Sequence, residues 1–172
     1  MLITLYLFPQ QLDGDDLYTK AELAELQKVQ RFLATADEIT TMVADRVLTS
    51  DPATAAARER LLAGKSLRGV AKPQAKGSQT SVLTGKHRSL ASAYFKELTK
   101  PPKQGPAKCF FPRHSIFART KSNWLEIQIC YECVTMSVTS KDGTIKLDTG
   151  INRNSRAHAD KFFGYNSKNS KA

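Results

Sequence analysis

A chain of 172 residues is long enough for one domain with a sizeable core and too short for two ordinary domains without a clear linker. Hydrophobic residues at 41% and charged residues at 24% exclude a chain too polar to bury a core, and three cysteines, an odd number, exclude a fully paired disulfide framework in a monomer. The net charge of +10 is uneven: residues 1–64 carry six Lys or Arg against ten Asp or Glu, residues 65–108 carry ten against Glu97 alone, and residues 109–172 carry ten against five.

Residues 2–8, apolar on both faces and closed by Pro9 and the acidic run to Asp16, predict a short buried strand. No basic n-region precedes them and no run approaches the ~20 apolar residues that span a bilayer, so no transmembrane segment is expected. The chain as written reads as cytoplasmic; a truncated start would make it periplasmic or envelope-bound. Thr19 as N-cap with Glu22 three residues on, then Leu23, Leu26, Val29, Leu33 and Ala34, predicts a helix over 19–36. The apolar positions from Ile39 to Leu48 fit a strand over about 42–49 or a continued helix, and the strand is preferred. Ser50-Asp51-Pro52 then starts a second helix that ends at Gly64.

Residues 65–107 interleave lysines with glycines and prolines and predict a flexible basic insertion lying outside the core, with one short helix over 89–99 that carries Tyr94 and Phe95. Such a segment is a solvated linker or a surface for a polyanion such as nucleic acid, with Lys72, Lys76, Lys86 and Arg88 as the contacting cations. Tyr94 or Phe95 would stack on a base. Residues 108–119 and 124–139 predict an antiparallel hairpin, Asp142-Gly143 a further hairpin turn, 144–147 a strand, 155–163 a helix, and 166–172 a disordered tail. The expected fold is a single α+β domain over 1–172. In it a mostly antiparallel sheet packs with the helices near 20–35 and 52–63.

The chemistry-bearing residues gather in the last third. Leu125, Ile127, Ile129, Tyr131 and Cys133 alternate with Glu126, Gln128, Cys130 and Glu132, after which Val134, Met136 and Val138 become the apolar positions. A two-residue period that changes phase predicts a β-bulge or kink within Cys130–Cys133. A hairpin turn between Lys121 and Ser122 would set His114 across from Ile129, beside Cys130, and Cys109 across from Val134, beside Cys133. Three thiolates and an imidazole form a tetrahedral zinc set of Cys109, His114, Cys130 and Cys133, with Glu132 or Glu126 available to orient the imidazole. A redox pair of Cys130 and Cys133 is a second reading, although thioredoxin-like chemistry wants the nucleophile at a helix N-terminus and this pair sits in a strand. The third is that the cysteines are small buried hydrophobes, or one static disulfide plus a free thiol.

Cys109-Phe110-Phe111-Pro112-Arg113-His114 followed by Ile129-Cys130-Tyr131-Glu132-Cys133 resembles an uncharacterised group of small bacterial proteins, often lipoprotein-like, with a Cys-x-Pro-Arg-His-like segment and a downstream Ile-Cys-aromatic-x-Cys strand. The resemblance covers about half the chain and implies no activity. The chain departs from the group in lacking an export signal, in Ser115 where glycine is usual, and in its lysine-rich segment. Phosphate loops, a His-Glu-x-x-His pair and a nucleophile elbow are absent from the sequence, His87 and His158 read as exposed, and Asp148 and Asp160 have no partner carboxylate. The expectation is therefore a non-enzymatic binding or structural protein with a Cys/His cluster, stabilised by zinc in one form. A thiol-redox or metal-dependent enzyme is the alternative, and a polyanion-binding accessory protein the third.

Overall fold

A computed structural model describes residues 17–44, 48, 50, 52–67, 79–83, 87–101 and 109–163. Among them are four α-helices and a six-stranded antiparallel sheet, an α+β fold as expected. The expected strand over 2–8 and the tail over 166–172 lie outside the described residues.

Helix α1 (Lys20–Thr35) opens on the capping box read from the sequence: the Glu22 amide donates to Thr19 Oγ1 at 3.2 Å and the Thr19 amide to Glu22 Oε2 at 2.7 Å. Leu26, Val29 and Leu33, three and four residues apart, form its buried stripe. Strand β1 (Glu38–Val43) is an interior strand buried along its whole length because both its faces are covered, Ile39 and Val43 packing in one apolar cluster and Met42 in another. It begins earlier than the expected 42–49 and ends at Val43. Beyond it, the amides of Ala44 and Leu48 donate to the carbonyls of Arg113 and Pro112 in an irregular stretch. Helix α2 (Pro52–Leu62) starts on proline, where a missing amide hydrogen costs nothing, and is followed by Gly64 at φ +75°. That left-handed conformation ends helices and suits a residue without Cβ.

Strand β2 (Gln79–Leu83) and helix α3 (His87–Leu98) fall inside the segment expected to lie outside the core. The structure corrects that expectation for these residues. Strand β2 pairs with β1 at one edge of the sheet, and Ala91, Tyr94, Phe95 and Leu98 of α3 are buried in the main core. Their spacing lines one face of the helix, while Lys96 on another face stays exposed. The aromatic pair is thus core rather than a base-stacking surface.

Strands β3 (His114–Arg119), β4 (Trp124–Cys130), β5 (Thr135–Ser140) and β6 (Lys146–Gly150) follow as a meander, giving the order β2-β1-β3-β4-β5-β6. His114 pairs with Ile129, the expected register. The run 124–139, however, is two strands joined by a four-residue turn, where a single strand with a kink was expected. The change of apolar phase is the signature of that reversal: Ile127 opposes Val138 and Ile129 opposes Met136, so residues of opposite parity share one face. Gly143 at φ +71° turns β5 into β6, as Asp142-Gly143 predicted. A 3-10 turn over Arg153–Ser155 leads into helix α4 (Arg156–Phe163).

The sheet has two unlike faces. Ile39, Ile116, Ile127, Ile129, Val138 and Leu147 face α1, α3 and α4 in the main core. On the other face Met42 and Phe117 pack with Leu48, Ala57, Leu61 and Leu67, in a smaller cluster built around α2.

Candidate functional site

The β4–β5 turn brings three cysteines together. Cys130 ends β4 and pairs with Thr135, leaving Tyr131-Glu132-Cys133-Val134 to reverse the chain. Val134 takes a left-handed φ of +52°, which for a β-branched residue costs ~1–2 kcal/mol. The turn is held by its surroundings: Val134 is buried in the main core and its carbonyl accepts the Ile151 amide at 3.0 Å. Tight reversal also brings the Cys133 amide to 3.2 Å from Cys130 Sγ, to which it donates.

Across this turn runs the segment 109–113, tied down by the two carbonyl contacts of Pro112 and Arg113 with the stretch after β1. The Phe111 amide donates to the Cys133 sulfur, and Cys109 Sγ stands 2.7 Å from Cys133 Sγ. All three cysteines are free; Cys109 is exposed, whereas Cys130 and Cys133 are buried. Burial pushes the Cys133 thiol up to about 12, helped by the sulfurs of Cys109 and Cys130 and opposed by the Phe111 amide.

His114 is elsewhere. Paired with Ile129, it shares that residue's face and lies half-buried against the main core, its ring edge-on to Tyr131 at 4.9 Å and to Phe163 at 5.0 Å. Burial lowers its pKa to about 4; the Glu132 carboxylate acts against the shift, and Arg156 and Arg113 reinforce it. Cys130, one residue beyond Ile129, points to the opposite face, because successive strand residues alternate. The expected zinc set therefore does not assemble around one point. Among the described residues no group of three or more His, Cys, Asp or Glu is arranged to hold a metal ion. Glu132, expected to orient the imidazole, stands instead 3.9 Å from Cys130 Sγ.

Register reasoning thus brought Cys109 to Cys133 and His114 across from Ile129 correctly; what it did not deliver is a shared site, because Cys130, the next residue along the strand, faces the other way. The pair expected to cycle, Cys130 and Cys133, does lie together, and the sequence did not show that Cys133 would sit against both other sulfurs.

A polar network on the α2 face escaped sequence reading altogether. Arg58 Nε and Nη2 donate to Glu126 Oε1 and Oε2 at 2.6 and 2.7 Å, and Gln128 Nε2 reaches Glu126 Oε1 at 3.2 Å. The alternation of Trp124, Glu126 and Gln128 marks a polar face, but nothing in the sequence names Arg58 as the partner. A shallow pocket of about 110 Å³ lies beside it, lined by Arg58, Trp124, Glu126, Gln128, Ser137 and Thr139. It has room for three or four waters at ~30 Å³ each, well short of the ~300 Å³ at which ligand pockets begin.

Of the proposed polyanion contacts, Lys72, Lys76 and Lys86 lie outside the described residues, and Arg88 is half-buried on α3. No helix among the described residues is long and apolar enough to cross a membrane. A comparison of the chain with protein-family models, curated proteins and solved structures finds no significant match.

Proposed function

We propose that this chain is a non-enzymatic binding or structural protein in which Cys109 and Cys133 act as a reversible thiol clasp, fastening the segment before β3 to the β4–β5 turn. The observation that carries this reading is the 2.7 Å separation of the two free sulfurs, within easy reach of the ~2.05 Å disulfide bond. The exposure of Cys109 supports it, since an outside disulfide can reach that thiol first.

Burial favours a clasp over a turnover catalyst. Only thiolates attack disulfides, and burial holds the Cys133 thiol protonated at neutral pH. Closure is therefore slow at neutral pH and faster as pH rises. Once closed, the bridge spans 24 residues of sequence separation and restricts the unfolded chain by ~3 kcal/mol.

The test is brief treatment of the reduced protein with glutathione disulfide at pH 9, followed by acid quenching, peptide mapping and urea unfolding. A link between the tryptic peptides 109–113 and 122–141, with unfolding free energy raised by ~3 kcal/mol, is the expected result. Absence of that linked pair would remove the clasp.

A further inference from the structure

The clasp uses two sulfurs and leaves the third without a role. Cys130 is fully buried at the end of β4, yet its sulfur accepts the Cys133 amide at 3.2 Å and touches the Cys133 sulfur. Cys133 Sγ therefore lies between an exposed thiol and an enclosed one.

Resting on the clasp reading, we propose that Cys130 is the internal exchange partner of the clasp: the bridge made at Cys109 moves inward to Cys130–Cys133, and the freed Cys109 is then a modification site for low-molecular-weight disulfides. The steps balance as thiol–disulfide exchanges. The Cys109 thiolate attacks one sulfur of a small disulfide; a mixed disulfide forms and the other half leaves as a thiolate that takes up a proton. Cys133, after losing its proton to water, attacks Cys109 Sγ and displaces the second half, so that two electrons have passed from two protein thiols to the small disulfide. The Cys130 thiolate then attacks Cys133 Sγ. The Cys130–Cys133 bond forms, the Cys109–Cys133 bond breaks, and Cys109 leaves as a thiolate that takes up a proton equivalent to the one Cys130 gave up. Nothing further is oxidised in this transfer.

The burial that slows closure does not act on the transfer, because Cys133 is then a disulfide sulfur with no proton to lose. The leaving sulfur is the solvent-exposed one. The odd cysteine count sets the end state: with Cys130 and Cys133 bridged, no thiol remains in the cluster to displace a second small disulfide from Cys109. That mixed disulfide persists.

Trypsin separates the outcomes, since Cys109 lies in the peptide 109–113 while Cys130 and Cys133 share the peptide 122–141. The full chain is treated with glutathione disulfide, sampled over time, acid-quenched, alkylated and mapped. The two peptides are expected first as a linked pair; later, 122–141 is expected alone and two hydrogens lighter, with 109–113 carrying glutathione. Cys130→Ser is expected to stop at the linked pair, and Cys109→Ser to lose the rapid appearance of the internal bridge. A wild-type time course that ends at the linked pair overturns the proposal and leaves the clasp standing, and this holds even if a variant does not fold. An internal bridge forming as fast in Cys109→Ser as in wild type also overturns it. Failure to see the linked pair at any time, in wild type and Cys130→Ser alike, removes the clasp itself.

Discussion

Under α1, α3 and α4 the sheet presents a broad apolar surface: Phe95, Leu33, Ile116 and Ile127 are all at most 1% exposed, and the helices meet them with amphipathic stripes. The α2 face is different. There a small apolar cluster around Phe117 and Leu61 adjoins a buried carboxylate, Glu126, whose only cationic partner among the described contacts is Arg58 on α2. One face is held by many interchangeable apolar contacts. The other depends on a specific pair whose members lie 68 residues apart in sequence. At the end of the β3–β4 ladder the contrast becomes functional, because His114 belongs to the first face and Cys130 to the second. Two residues that are neighbours in register therefore have different chemistry.

Three experiments would break or sharpen that contrast. Phe95→Ala should cost ~3–5 kcal/mol by urea unfolding, because the crowded main core cannot close over the void. Phe117→Ala should fall at the low end of that range, since α2 is free to settle toward the sheet; an equal or larger loss would show the two faces to be equally rigid. The second concerns His114, whose pKa is lowered to about 4 in the fold from an ordinary 6.5. The unfolded chain then binds the proton more readily, so stability is complete above pH 6.5 and is lost as pH falls toward 4, by on the order of 3 kcal/mol. His114→Phe, which keeps an aromatic ring against Tyr131 and Phe163, should flatten that slope; an unchanged pH profile would mean that the loss comes from other groups. On the α2 face, Arg58→Ala strands the Glu126 carboxylate and should cost ~2 kcal/mol, discounted because Arg58 is 28% exposed. Arg58→Met combined with Glu126→Leu should recover most of it, and a double variant no better than the single would show that the pair does more than neutralise itself.

Much of the fold was readable locally. Thr19 and Glu22 marked the start of α1, Pro52 and Gly64 bounded α2, and Asp142-Gly143 placed the last hairpin, because caps and turns depend on residues a few positions apart. The hairpin register followed from the same kind of signal and brought Cys109 to Cys133. Where reading went astray, a local pattern had two structural causes. The phase change at Cys133 arises from a reversal as readily as from a bulge, and the lysines and prolines of 65–107 hid that the helix read over 89–99 turns Ala91, Tyr94, Phe95 and Leu98 into the core.

The sequence by itself determined the α+β class, the helix limits, the hairpin register and the closeness of Cys109 to Cys133, since each is encoded by periodicity, capping or turn chemistry over short range. Tertiary structure alone decided that His114 and Cys130 stand on opposite faces, that Arg58 answers Glu126, and that Cys133 sits protonated between two other sulfurs. The physical reason is the same in each case. Which face a side chain occupies, and how far it is withdrawn from water, depend on where the strand reverses and on what packs over it from distant parts of the chain.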